Sequence, residues 1–297
     1  MSRGKEFLER IKNGEVLIAD GAMGTLLMEY GLKPGEPPES FNLDNEDILE
    51  WIAKSYLDAG AEIIQTNTFG GSPIKLSLYS LEKKVEEINR NAVHAVRRVV
   101  EKDAYVSGSC GPSGKLLKPY GEVEEDEMYH NYETQTHALI DAGVDILCVE
   151  TMTDLTEATI AIRAARGLST TIPIMATMTF DPSPRGFYTV MGNDIERAVK
   201  GLVEAGADII GSNCGNGIEN MIKIAREFKM YCTTPLIIQS NAGIPVIRDG
   251  KTIYPESPEF MAEKSKELAD IGVSIIGGCC GTTPDHIRKI REAVKGT

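Results

Sequence analysis

Four times along the chain an amphipathic stretch runs into a glycine and emerges as an apolar one. The copies are Asp58-Ala59-Gly60-Ala61-Glu62-Ile63-Ile64, Asp141-Ala142-Gly143-Val144-Asp145-Ile146-Leu147, Glu204-Ala205-Gly206-Ala207-Asp208-Ile209-Ile210 and Asp270-Ile271-Gly272-Val273-Ser274-Ile275-Ile276. Each reads as a helix end, a glycine stop and a buried strand, because glycine accepts the left-handed backbone that closes a helix. Gly60, Gly143, Gly206 and Gly272 stand 83, 63 and 66 residues apart. Such an interval is about twice the length of one strand plus one helix, so each should hold two βα units, and four repeats make eight.

That count demands four more strands, and Val16 to Ala19, Ala104 to Ser107, Ile172 to Met178 and Pro235 to Gln239 lie where they are needed, each bounded by turn or polar residues. Between strands, apolar residues recur at helical spacing, as in Ile48, Leu49, Ile52, Ala53 and Tyr56, or Val85, Ile88, Ala92, Ala95 and Val99. Strand and helix in alternation predict an α/β fold, a parallel sheet closed into a (β/α)8 TIM barrel. No linker, low-complexity tract or shift in composition divides the chain, so residues 1–297 are expected to form a single domain. Its active site belongs at the C-terminal ends of the strands. The two longest connections, Lys33 to Asn45 and Cys110 to Glu125, leave that face and are candidate lids.

Charge and cysteine usage narrow the function classes. A net charge of -13, from 44 acidic and 31 basic residues, argues against nucleic acid or an anionic membrane as partner. No apolar run approaches the roughly 18 residues that a membrane helix needs, and the N-terminus lacks the apolar core of a signal peptide. A cytoplasmic location is expected. Six cysteines are too few for a disulfide scaffold in a chain of this length, and in a reducing compartment they stand as thiols, metal ligands or core residues.

In a barrel, the polar residues at strand ends converge on one mouth: Asp20, Gln65 to Thr68, Ser109 and Cys110, Glu150, Thr177 to Asp181, Cys214, Asn241, Cys279 and Cys280. Cys214 closes the sixth strand and the adjacent pair Cys279-Cys280 the eighth, which brings three thiols to the same side of a closed ring. Three thiolates with one open position suit zinc, which is soft enough for sulfur and accepts four ligands. An iron–sulfur cluster usually takes four closely spaced cysteines, and three buried apolar cysteines are the bland alternative. Cys110, Cys148 and Cys232 read as core or surface filling, and His94, His130, His137 and His286 fall on helical patterns, so none of the four reads as a catalytic base. Zinc already holding three thiolates is a poor activator of water but a good holder of a fourth thiolate. The chemistry this favours is attack by a substrate thiol on an electrophilic carbon, with no catalytic group required beyond that thiolate.

The segments Asp20-Gly21-Ala22-Met23-Gly24-Thr25, Gln65-Thr66-Asn67-Thr68-Phe69, Val149-Glu150-Thr151, Asn213-Cys214, Asn241-Ala242-Gly243 and Gly277-Gly278-Cys279-Cys280-Gly281-Thr282-Thr283-Pro284 carry a resemblance. In that order, and over nearly the whole chain, they are similar to the homocysteine S-methyltransferase family, above all to the homocysteine-binding module of cobalamin-dependent methionine synthase. The resemblance implies a zinc-containing barrel that methylates L-homocysteine in methionine biosynthesis. It implies that Cys214, Cys279 and Cys280 bind the metal, that the homocysteine sulfur completes the tetrahedron, and that Asn241 can approach the metal when substrate is absent. It also supports Asp20 and Glu150 as partners of the substrate ammonium, and the turn through Gly21 and Ala22 as a donor of amides to its carboxylate. Thr68 can add a hydroxyl there.

The chain matches the homocysteine module alone, so the methyl donor is expected to be a separate molecule. Candidates are a corrinoid protein carrying methylcobamide, S-methylmethionine, or another sulfonium or ammonium compound. Two alternatives stay open: a zinc- and homocysteine-binding component of a multi-protein corrinoid system, inactive without its corrinoid protein, and a methyltransferase for a different small thiol. A metal-free barrel for phosphate-bearing substrates would use Gly277-Gly278 as a phosphate loop, but that loop runs directly into two thiols.

Overall fold

A computed structural model describes residues 2–248 and 251–296. Eight parallel strands form one sheet: Leu17–Ile18, Ile63–Gln65, Tyr105–Cys110, Ile146–Met152, Ile174–Met178, Ile209–Asn213, Leu236–Ser240 and Ile275–Gly278. From the second to the eighth, each pairs with the next. The eighth returns to the first, with Leu17 opposite Ile275. Between the first and second strands, a bridge from Ala19 to Ile63 and a 3.0 Å bond from the Asp20 N–H to the Ile63 carbonyl close the ring. The (β/α)8 barrel read from the four repeats is present, and their glycines have the left-handed backbone expected of them, Gly60 at φ +90°, Gly143 at +93°, Gly206 at +105° and Gly272 at +85°.

One inward residue from each strand (Leu17, Ile63, Tyr105, Ile146, Met175, Ile209, Ile237 and Ile275) joins a single apolar cluster inside the barrel. Phe7 and Ile11 of the helix Arg3–Lys12 complete it from below. With the lower half filled by apolar side chains, polar residues are confined to the upper half, where the strands end. Phe7 is fully buried and meets Tyr105 edge to face at 5.2 Å between ring centres. Phe7→Ala is therefore expected to cost about 3–5 kcal/mol, since the rigid strands around it cannot collapse into the space. Urea unfolding measures this, and a loss below about 1 kcal/mol would mean that the helix does not plug the barrel.

The long connections on the upper face are pinned in place. Within Lys33 to Asn45, the short helical turns Pro38–Ser40 and Phe41–Asp44 carry Glu39, whose carboxylate accepts the Gly70 N–H at 2.6 Å, and Asn42, whose amide donates to the Asn67 carbonyl at 2.8 Å. Within Cys110 to Glu125, the Ser113 N–H donates to the buried Glu157 at 2.7 Å, and Tyr132 donates to the Gly111 carbonyl at 3.0 Å. Two antiparallel hairpins, unanticipated from sequence, also rise from this face: Asp181–Ser183 with Gly186–Tyr188, and Val246–Arg248 with Lys251–Ile253. Exposed apolar residues gather on these connections, among them Tyr120, Val190, Ile244 and Ile247. Among the described residues, no helix is long and apolar enough to cross a membrane.

Candidate active site

The structure brings Cys214, Cys279 and Cys280 together, their sulfurs all within 4.8 Å of one another and those of Cys214 and Cys280 3.8 Å apart. Backbone bonds fix the three positions. The Cys214 N–H donates to the Gln239 carbonyl at 3.1 Å, the Cys279 N–H to the Ser240 carbonyl at 2.7 Å, and the Cys280 carbonyl accepts the Ala242 N–H at 3.0 Å. The sixth and eighth strands thus hold their thiols against the seventh strand between them. Cys214 has φ +59°, a conformation that side-chain-bearing residues rarely adopt and that aims its sulfur across the mouth. Gly281 follows the pair at φ +79°, and the Tyr254 ring occupies the space where a β-carbon on that residue would stand. Cys280 is drawn toward the thiolate form by hydrogen bonds from Cys214 and Cys279, while Cys279 is pushed far up by Cys214 and Cys280.

This donor set fits a tetrahedral metal ion. Zinc–sulfur bonds of about 2.3 Å place two tetrahedral sulfurs about 3.8 Å apart, the separation seen between Cys214 and Cys280. Asn241 lies beside them on the seventh strand's end, and its side-chain oxygen is buried without a hydrogen-bond partner among the described residues. An oxygen in that condition is available as a further donor. Cys110 and Cys148 are fully buried in the apolar packing, and Cys232 caps the helix Ile218–Tyr231. His286 is bound into the cap of the helix Pro284–Lys295, accepting the Thr283 N–H at 3.1 Å.

Asp20 and Glu150, from the first and fourth strands, lie on the same mouth, 3% and 7% exposed. Asp20 accepts the Gln65 N–H at 2.8 Å, and Glu150 accepts the Ser109 hydroxyl. Burial pushes Asp20 up to about 8, with the charge of Glu150 adding to it, and pushes Glu150 up to about 7, with Cys280 adding to it. Two carboxyls that are costly to ionise alone, at the rim of a thiol cluster, would each be favoured in the charged form by a cationic group placed beside them. Glu150 is presented by a register shift between Val149 and Met152, where Thr151 turns to φ +59°.

Two residues expected at a carboxylate-binding corner are engaged within the fold. The Thr68 hydroxyl donates to the Ser109 carbonyl at 2.8 Å and the residue is fully buried, so its proton is already committed. The Ala22 N–H donates to the Thr282 hydroxyl at 3.2 Å. Gly21, whose N–H bonds to none of the described residues, keeps its amide for a ligand. Sequence reasoning missed Tyr254 and assigned no role to Asn213 or Thr177. Asn213 bonds to Glu150, Thr177 supports Asn213, and Tyr254 sits over Gly281 with its hydroxyl pushed up to about 12 by burial and by the adjacent Cys280. Asn213 stands beside Cys214 in a segment that carries the resemblance, and Thr177 among the strand-end residues, but neither placement points to Glu150.

Comparison with known proteins agrees with this picture. Residues 17–294 match the family described as Homocysteine S-methyltransferase. Among curated proteins, the methionine synthases of Mycobacterium leprae (strain TN) and Mycobacterium tuberculosis (strain ATCC 25618 / H37Rv) are each 32% identical over 296 residues. Those matches cover 94% of this chain but 24% of each relative, so the chain spans about a quarter of their length. Among solved structures, the metallated homocysteine methyltransferase MmuM from Escherichia coli superposes with a TM-score of 0.78 at 21% identity, over 93% of this chain and 96% of that one, and so shares the fold.

Proposed function

The chain belongs to the homocysteine S-methyltransferase family, and on that premise we propose that it is a zinc-dependent enzyme that methylates L-homocysteine to methionine. The observation that carries this reading is the convergence of three thiols, within 4.8 Å of one another, on the mouth that also holds two buried carboxyls. In the reaction, a carbon–sulfur bond forms between homocysteine and the methyl group, the bond from that carbon to the donor breaks, and the thiol proton is lost. Zinc held by Cys214, Cys279 and Cys280, with Asn241 beside it, would supply the position at which a thiol loses its proton near neutral pH.

The chain's own residues position the other end of the substrate. Asp20 and Glu150 receive the ammonium, and the Gly21 N–H, with the Ala22 amide once it leaves Thr282, receives the carboxylate. Thr68 acts through the Ser109 backbone to hold that corner. A fixed ammonium at one end and a fixed sulfur at the other leave one direction from which a methyl donor can approach. Residues 1–297 are proposed as one homocysteine-binding domain, and a reducing compartment such as the cytoplasm would keep the three thiols available.

A second reading concerns the donor. Tyr120, Val190 and Ile247 are 79%, 74% and 80% exposed, and all lie on connections that rise from the mouth. An exposed apolar rim favours delivery by a protein, such as one carrying a methylcobamide, over a small sulfonium compound alone. Zinc analysis and homocysteine titration of the purified chain are expected to give one zinc and one homocysteine site. Methylation assayed with S-methylmethionine and with methylcobalamin then separates the donors. Turnover with S-methylmethionine would make the chain self-sufficient, whereas binding without turnover on either donor would assign it to a system completed by a corrinoid protein. Absence of both zinc and homocysteine binding would overturn the proposal.

A further inference from the structure

The sixth strand ends on Asn213, whose carboxamide makes more hydrogen bonds than any other side chain described here on the mouth. Its Oδ1 accepts the Thr151 N–H and the Thr177 hydroxyl, each at 2.8 Å. Its Nδ2 donates to the Thr151 hydroxyl at 2.7 Å and to Glu150 Oε2 at 3.2 Å, and faces the Cys279 sulfur at 4.0 Å. A backbone N–H only donates, so the atom facing the Thr151 nitrogen has to be the amide oxygen. The amide nitrogen therefore faces the carboxylate and the sulfur. Asn213 is 1% exposed, which leaves no room for water to take over these bonds.

The same side chain borders both non-glycine residues of the mouth that have left-handed backbone. Thr151, which follows Glu150, and Cys214, which follows Asn213, each stand at φ +59°. Conformations of this kind persist only where the surroundings over-determine them. Thr151 is held by Asn213 through both its N–H and its hydroxyl, and Cys214 is joined to Asn213 by the chain itself. The register shift that presents Glu150 and the turn that aims Cys214 therefore meet at one carboxamide.

We propose that Asn213 is the positioning residue that ties the ammonium end of the mouth to its thiol end. It fixes where Glu150 stands relative to the thiols, its Nδ2 lying 3.2 Å from Glu150 Oε2 and 4.0 Å from the Cys279 sulfur. The proposal rests on reading the mouth as a homocysteine site. A carboxamide suits the task because it accepts on one side and donates to Glu150 on the other without adding charge. Aspartate has the same shape and would still accept from Thr151 and Thr177, but it would set an anionic oxygen against Glu150 and Cys279.

Asn213→Asp, compared with the unaltered chain by zinc analysis and calorimetric titration with homocysteine, tests this. Zinc is expected to stay at one per chain while the homocysteine dissociation constant rises at least about tenfold, because a donor to a buried carboxylate has become a repelling oxygen. In the cobalt-substituted protein, the spectral change on adding homocysteine is expected to need correspondingly more ligand. A dissociation constant within about twofold of the unaltered chain would overturn the proposal, and so would parallel loss of zinc and homocysteine, which would mark a general collapse of the mouth. If the aspartate variant does not fold, Thr177→Val loosens the carboxamide without adding charge. It is expected to weaken homocysteine binding about threefold with zinc unchanged, and unchanged affinity would again overturn the proposal. Failure of the unaltered chain to bind homocysteine would strike the functional reading itself, so the two failures are distinguishable.

Discussion

Replacing Cys214 by alanine is expected to remove bound zinc and homocysteine methylation together, while the barrel stays folded. Two thiols from the end of one strand cannot close a tetrahedral site, and the third comes from a strand whose ladder partner is the seventh, not the eighth. Loss of an outer hydrogen-bond partner commonly costs about 10–100-fold in metal affinity, and loss of a ligand exceeds that. The fold should tolerate the change because Cys214 lies beyond the last residue of its strand and outside the apolar clusters. Cys110→Ala is the matched control: Cys110 is fully buried in the outer apolar cluster and should leave the zinc content unchanged. Metal analysis after gel filtration, with the methylation assay alongside, reads both variants. One zinc retained per chain in Cys214→Ala would remove that residue from the ligand set.

The barrel was legible because its signal is periodic. A glycine-closed helix followed by a buried strand recurs at Gly60, Gly143, Gly206 and Gly272, and the intervals fixed the number of strands still to be found. The two hairpins were invisible for the opposite reason. The strands Asp181–Ser183 and Val246–Arg248 are wholly exposed, so no alternation of apolar and polar residues marks them. The plugging helix shows Phe7 and Ile11 on one face, but what they bury against is assembled from all eight strands of the barrel.

At the site, the cysteines could be read because thiols at strand ends are unusual for a core and carry specific chemistry. Asn213 could not, because its role consists of bonds to residues up to 63 positions away. For Thr68 and Ala22 the residues could be named but not their partners. Their donors suit a carboxylate in isolation, but a hydroxyl has one proton and an amide one N–H, and the fold gives these to the Ser109 carbonyl and the Thr282 hydroxyl.

Asp20→Asn is expected to stabilise the free protein at alkaline pH and to weaken homocysteine binding severely. Burial, with Glu150 nearby, holds the Asp20 carboxyl at about 8, above the ordinary aspartate value that it takes in the unfolded chain. A group whose folded pKa is raised contributes stability that is fully present below its unfolded pKa and is lost as pH rises through the folded one. The free protein should therefore melt progressively lower between about pH 4 and pH 8, and asparagine should flatten that decline. The Gln65 N–H keeps an acceptor, because the asparagine oxygen replaces Asp20 Oδ2 at 2.8 Å. Binding responds in the opposite direction, since an ammonium entering the mouth repays ionisation of Asp20 and Glu150. Its loss from a charged hydrogen bond worth about 1.5–3 kcal/mol should raise the dissociation constant about 10–150-fold. For the unaltered chain, homocysteine affinity should fall as pH drops below about 7, where Glu150, also held up by burial, takes on its proton. Melting curves across this pH range, paired with calorimetric titrations, test both directions at once. An asparagine variant that binds homocysteine as tightly as the unaltered chain would show that the ammonium lies elsewhere.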